Sequence, residues 1–212
     1  IANARQADTD WSSLTTQERI RSIELDGFVV IPDLLSPDQI TALHGELDSL
    51  PMNSTDYSKH QKGCHDLWER DCPVAIDAIA NPPILEFLNN LFGDDLICTS
   101  IGLGCSEPGH PGIAIHTDSQ PYGSKIFGVQ ASSPILARVL YYLDDLTREV
   151  SPFRVIPRSH LSLHADGNPY QRFEGHPEEV IVPTKAGSAV FLNHRTFHGN
   201  CPNVGDRARE ML

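Results

Sequence analysis

Apolar residues recur at helical spacing in the first part of the chain and in short, strand-like runs in the rest. Around residues 16–25 the run TTQERIRSIEL has helical spacing and stops at Asp26-Gly27, a helix-ending signal. Phe28-Val29-Val30-Ile31-Pro32 then reads as a short β-branched strand. Ser36-Pro37-Asp38-Gln39 combines a capping serine, a proline at the first helical position and a glutamine at the third. Ile40, Leu43 and Leu47 follow at helical spacing up to Leu50-Pro51, and a further helix is expected over 83–92, stopped by Gly93. From about Leu96 the pattern changes, and strands are expected at 96–103, 112–118, 135–143, 153–156, 179–182 and 188–193. Short strands punctuated by Gly and Pro argue for an antiparallel sandwich or barrel. Helices first and strands afterwards predict an α+β, mainly β fold: a double-stranded β-helix (jelly-roll) core with N-terminal helices packed on one sheet.

A length of 212 residues favours one domain, with a helical part over about 1–95 and the jelly roll over about 96–212. Hydrophobic residues at 40% and charged residues at 21% are enough for a sizeable core. The formal charge of -12 repels phosphate backbones and anionic lipid, so neither nucleic acid nor a membrane is an expected partner. No apolar run approaches the roughly 20 residues of a membrane helix, and nothing at the N-terminus reads as a signal peptide. The five cysteines, Cys64, Cys72, Cys98, Cys105 and Cys201, include no C-x-x-C pair. An odd count points to free thiols in a reducing compartment and a cytoplasmic location. His60, Cys64, His65 and Cys72 suggest a zinc cluster only weakly, because their spacing fits no common finger.

Two histidine settings carry chemistry. In Ile115-His116-Thr117-Asp118 the residues at i and i+2 of a strand face the same way, so an imidazole and a carboxylate share one space. Phe197-His198-Gly199-Asn200 follows the apolar run 189–192. Two histidines and one carboxylate form the facial triad of non-haem iron oxygenases, although zinc hydrolases use the same donors. His194 and His160 compete with His198 for the third position. His44, His60, His65, His110, His164 and His176 are expected on solvated loops or helices. Arg209, eleven residues after His198, is placed to grip a carboxylate bidentately. Arg207 shares its strand face and has a plain alternative role beside Asp206.

Four stretches carry a resemblance to a known family. They are the opening strand and helix over 26–37, His116-Thr117-Asp118, the run 140–145 continuing through 153–160, and His198-Gly199-Asn200-Cys201-Pro202-Asn203 through Arg209. In these the chain resembles the phytanoyl-CoA dioxygenase family of Fe(II)/2-oxoglutarate oxygenases. The resemblance implies that His116, Asp118 and His198 bind iron and act in catalysis. It implies that Arg209 holds the far carboxylate of 2-oxoglutarate, with Asn200 as a second contact. The implied reaction uses O₂ to hydroxylate or otherwise oxidise an unactivated C–H bond of a small organic metabolite, releasing succinate and CO₂. A cupin-like metal isomerase or hydrolase, or a non-catalytic jelly-roll binding module, is the alternative. Two departures stand out: Glu149-Val150-Ser151 where the family often reads E-N-G, and Arg158 where it has the glycine of P-G-S-H. The chain's acidity weakly disfavours a polyanionic CoA ester, although a local basic patch of Arg148, Arg154 and Arg158 would override it. Ending three residues after Arg209 leaves the last strand short, which predicts that the C-terminus is incomplete.

Overall fold

The computed structural model describes residues 5–118, 136–161 and 175–212. In chain order the first half contains β1 (Arg5–Gln6), α1 (Thr16–Asp26), β2 (Phe28–Ile31), α2 (Pro37–Leu47), β3 (Asn53–Thr55), β4 (Ser58–His65), α3 (Pro73–Asp77) and α4 (Pro82–Phe92). The second half contains β5 (Gly102–Ser106), β6 (Ile113–His116), β7 (Ala137–Tyr141), β8 (Phe153–Val155), β9 (Val180–Val182), β10 (Ala189–Asn193), β11 (His198–Asn200) and β12 (Arg209–Met211). Helices α1 and α2 each open on a reciprocal capping box, Thr15 with Glu18 and Ser36 with Gln39. Helix α1 ends on Gly27, whose φ of +83° is the left-handed conformation that glycine adopts freely.

One sheet has the strand order β1-β9-β8-β11-β6. A second, β2-β10-β7, continues into a third, β12-β5-β4-β3, because Tyr142 pairs with Met211 and Tyr141 exchanges backbone hydrogen bonds with Leu212. Strands β2, β7 and β10 send alternate residues into two different cores. Phe28, Val30, Leu140, Tyr142, Val190 and Leu192 meet Phe153, Val155 and Val182 of the opposing sheet. Val29, Ile31, Tyr141, Ala189 and Phe191 face the helices and pack with Leu43, Leu47, Ile84 and Phe87. Burial on both faces is why β2 and most of β10 read as unbroken apolar runs instead of alternating ones, while β7 is interrupted by Arg138. The result is a jelly-roll core with helices covering one sheet. Among the described residues, no helix is long and apolar enough to cross a membrane.

Several expected boundaries shift. Residues 96–101 are not strand, and Ile97 is 87% exposed; the strand lies at β5, where pairing with β4 and β12 holds Gly102–Ser106. The first half is also less helical than its pattern suggests. Strand β2 pairs with β10 and β4 pairs with β5, so the sheets draw on both halves. The polar sequence of β4, SKHQKGCH, shows no apolar run, since it is held by backbone pairing on both sides. Position 135, where one strand was expected to start, and His164 lie outside the described residues.

Candidate active site

Strands β6 and β11 are antiparallel neighbours, and their register sets His198 directly opposite His116. The two rings lie 4.4 Å apart, centroid to centroid. Close approach of these strands depends on Gly199: a Cβ there would stand 2.5 Å from the Ile113 carbonyl oxygen. Asp118 follows β6 by two residues, and its backbone N–H donates to the His194 carbonyl. The Nδ1 of His116 is 2.8 Å from the Ala114 carbonyl oxygen, and the Nδ1 of His198 is 2.9 Å from that of Thr196. Only an N–H can face a carbonyl, so Nδ1 of each ring is protonated and Nε2 is the nitrogen turned inward. These nitrogens lie 3.6 Å (His116) and 3.5 Å (His198) from the two oxygens of Asp118. The separations are too long for hydrogen bonds, yet all three donors sit within 4.8 Å of one another. A cation seated between them satisfies all three.

The electrostatics agree. Burial pushes the His198 ring down to about 3, so it is a neutral donor. Burial would raise the Asp118 carboxyl, but the positive and donor groups around it, the fixed charge of Arg138 among them, outweigh it and hold the group well below the usual carboxylate range. His160 is not part of the cluster; it is buried in a turn with Nε2 3.0 Å from the Glu24 carbonyl oxygen. His194 is not part of the cluster either; its carbonyl accepts from the Asp118 backbone N–H. Among the described residues His116, Asp118 and His198 are the one group with metal-holding geometry. The zinc reading of the 60–72 segment fails, since Cys64 and Cys72 lie within the apolar core.

A second arrangement lies at the junction of β7 and β12. Arg209 opens β12, is 1% exposed, and pairs in register with Ser106. Its Nη2 donates to Ser106 Oγ at 2.6 Å, Nη1 reaches Met211 Sδ at 3.7 Å, and the guanidinium lies 5.7 Å from the Tyr142 ring centre. Among the described residues its Nε has no partner. No carboxylate among the described residues pairs with this buried cation. Such a group costs several kcal/mol unless an anion completes it, so the donors fit a carboxylate ligand. Asn200 is buried on β11 beside Tyr142, with its amide nitrogen donating to the Ser151 carbonyl. Arg207 is exposed, and its Nη2 donates to the Asp145 carbonyl instead of pairing with Asp206.

The sequence profile of the family described as phytanoyl-CoA dioxygenase matches residues 23–211. The chain belongs to the phytanoyl-CoA dioxygenase family. Among curated relatives, the dioxygenase trt7 of Aspergillus terreus is 24% identical over 94% of this chain and 72% of its own length. Two solved structures share the fold. HygX from Streptomyces hygroscopicus, with nickel and 2-oxoglutarate bound, superposes with a TM-score of 0.79 at 17% identity, over 94% of this chain and 85% of its own. The 2-oxoglutarate-dependent carbocyclase SnoK, from nogalamycin biosynthesis, gives 0.74 at 20% identity, over 97% and 84%.

Both departures from the family pattern keep the backbone that glycine would adopt. Ser151 has φ +46° and Arg158 has φ +66°, so the turns survive with side chains in the left-handed region. Arg154 does not join a basic patch; it is buried against Glu179, 3.3 Å away, and also donates to the Ile113 carbonyl. Two residues had no signal in the sequence. His110, expected on a solvated loop or helix, is 1% exposed with neither ring nitrogen partnered among the described residues, because backbone hydrogen bonds tie the 107–110 turn to His60 of β4 and to Asn203. Arg138 reaches Asp118 from β7, Nε to Oδ2 3.3 Å.

Proposed function

We propose that this protein is an iron(II)/2-oxoglutarate-dependent oxygenase that hydroxylates, or otherwise oxidises, an unactivated C–H bond of a small organic molecule. His116, Asp118 and His198 would hold the iron, and Arg209 the far carboxylate of 2-oxoglutarate, with Asn200 near it. When bound, iron and its co-substrate supply the oxidising power drawn from O₂, with succinate and CO₂ as by-products. The chain's own part is positional. Backbone carbonyls hold both imidazoles in the Nδ1–H tautomer, leaving two neutral nitrogens and one carboxylate on a single face. Three donors on one face leave the opposite positions open to a chelating acid and to O₂. The observation that carries the co-substrate assignment is the buried Arg209 guanidinium, which has no counter-ion among the described residues and which a dicarboxylate would complete.

A carbocyclase among the structural neighbours means that the fold hosts more than one oxidative outcome, so C–H hydroxylation is our reading for this chain. The test is spectroscopic and chemical. Anaerobic protein with Fe(II) and 2-oxoglutarate should gain the weak visible charge-transfer band of that chelate, and with O₂ it should form succinate. His116→Ala should lose both while melting cooperatively. Retention of both by His116→Ala, alongside their loss in His194→Ala, would overturn the triad.

A further inference from the structure

The iron and co-substrate positions leave one charged side chain unexplained. Arg138 lies on β7 two and four residues before Leu140 and Tyr142, which point into the space between the sheets. Alternation puts Arg138 on the same inward face, at the end where Asp118 stands. Its Nε is 3.3 Å from Asp118 Oδ2, and its side chain is 42% exposed. The two terminal nitrogens have no partner among the described residues. The Asp118 side chain is only 10% exposed while that of Arg138 is 42% exposed, so the contact tethers Nε to a metal-holding carboxylate without enclosing the rest of the guanidinium.

Charge counting shows what it lacks. Asp118 contributes one negative charge and bound 2-oxoglutarate two. A divalent metal contributes two positive charges, and Arg138 and Arg209 one each. One positive charge is left over, in a site partly closed to water. A monocarboxylate balances it; a phosphate monoester, with close to two negative charges, overshoots. The geometry agrees, since an arginine anchored through Nε presents its terminal nitrogens as a fork that matches a carboxylate. The chain as a whole carries a formal charge of -12, so an acid needs a local cation to enter at all.

We propose that Arg138 anchors a carboxylate of the substrate, so that the site oxidises small organic acids at a carbon a few bonds from the acid group. This rests on the oxygenase reading above. The test uses aliphatic and aromatic monocarboxylic acids, each paired with its methyl ester, on protein carrying zinc in place of iron together with 2-oxoglutarate. Binding is followed by ligand-observed NMR. We expect acids to outbind their esters on the unmodified protein. Arg138→Gln should weaken acid binding about tenfold to a hundredfold, Arg138→Lys less, and neither should change ester binding. In parallel, the anaerobic Fe(II)/2-oxoglutarate band is titrated in Arg138→Gln. A band that forms at the same 2-oxoglutarate concentration supports a substrate role. A weakened band means that Arg138 only holds Asp118, and the proposal fails. It fails too if no acid outbinds its ester, or if acids bind Arg138→Gln as tightly as the unmodified protein. Absence of the band in the unmodified protein sinks the oxygenase reading instead, and the acid-binding comparison still judges Arg138.

Discussion

At the level of single residues, burial gives polar groups their meaning. Arg209 is a cation folded into the core with no anion paired to it among the described residues, an arrangement that favours the liganded over the ligand-free protein. Arg209→Ala should raise the 2-oxoglutarate requirement by about 30-fold to several thousand-fold, the equivalent of roughly 2–5 kcal/mol. Arg207→Ala, at an exposed position, should change it only a few-fold. Arg209→Met should melt higher than the unmodified protein without ligand and gain nothing from added 2-oxoglutarate; a lower melting point contradicts the unpaired-charge account. His110 supplies a pH effect. Burial, then the neighbouring Arg209 and His60 charges, push its ring down to about 4. An unfolded histidine titrates near 6.5, so between these values the unfolded chain binds the extra proton. This contribution to stability is whole above about pH 6.5 and disappears as pH falls toward 4, roughly 3 kcal/mol in all. His110→Phe should therefore lose less stability than the unmodified protein between pH 7 and pH 4.5. Urea unfolding at both values checks this, and equal losses would refute it.

Among the elements, turns and strand pairings decide where the side chains end up. Arg158 occupies a left-handed position where family members carry glycine, and its side chain is 62% exposed with only a 3.8 Å contact to Glu178. Arg158→Gly should relieve that backbone and stabilise by about 0.5–1 kcal/mol, read as a higher melting temperature. Ser151→Gly, at the same kind of position, should gain less. The Ser151 hydroxyl donates to the Cys201 carbonyl within the interior, and its loss offsets the relief. An equal gain in both variants would mean that the hydrogen bond is worth nothing. The capping boxes of α1 and α2 were legible from four-residue patterns because capping is local chemistry. Strand β4 was not, because its stability comes from hydrogen bonds to β3 and β5 on either side.

On the scale of the whole molecule, two apolar cores share the strands β2, β7 and β10. Phe191 is fully buried on β10 and meets Phe87 edge-on at 5.3 Å and Phe92 at 6.3 Å, both on α4. Phe191→Ala should cost about 3–5 kcal/mol, a large fraction of the roughly 5–15 kcal/mol that domains have. Because the strands are common to both cores, unfolding should remain one transition, with near- and far-ultraviolet circular dichroism coinciding in urea. Separate transitions would show that the helical layer melts alone. The chain's own order of residues determined the helices with their caps, the apolar central strands, the His116–Asp118 pair and the spacing from His198 to Arg209. All of these rest on local periodicity or on contacts a few residues apart. Tertiary structure alone decided that His198, and not His160 or His194, lies across from His116, since that follows from strand register. It also decided which arginines are buried, that Arg209 has no counter-ion among the described residues, and that Arg138 turns toward Asp118. Burial and pairing belong to residues brought together from distant parts of the chain, and no local pattern records them.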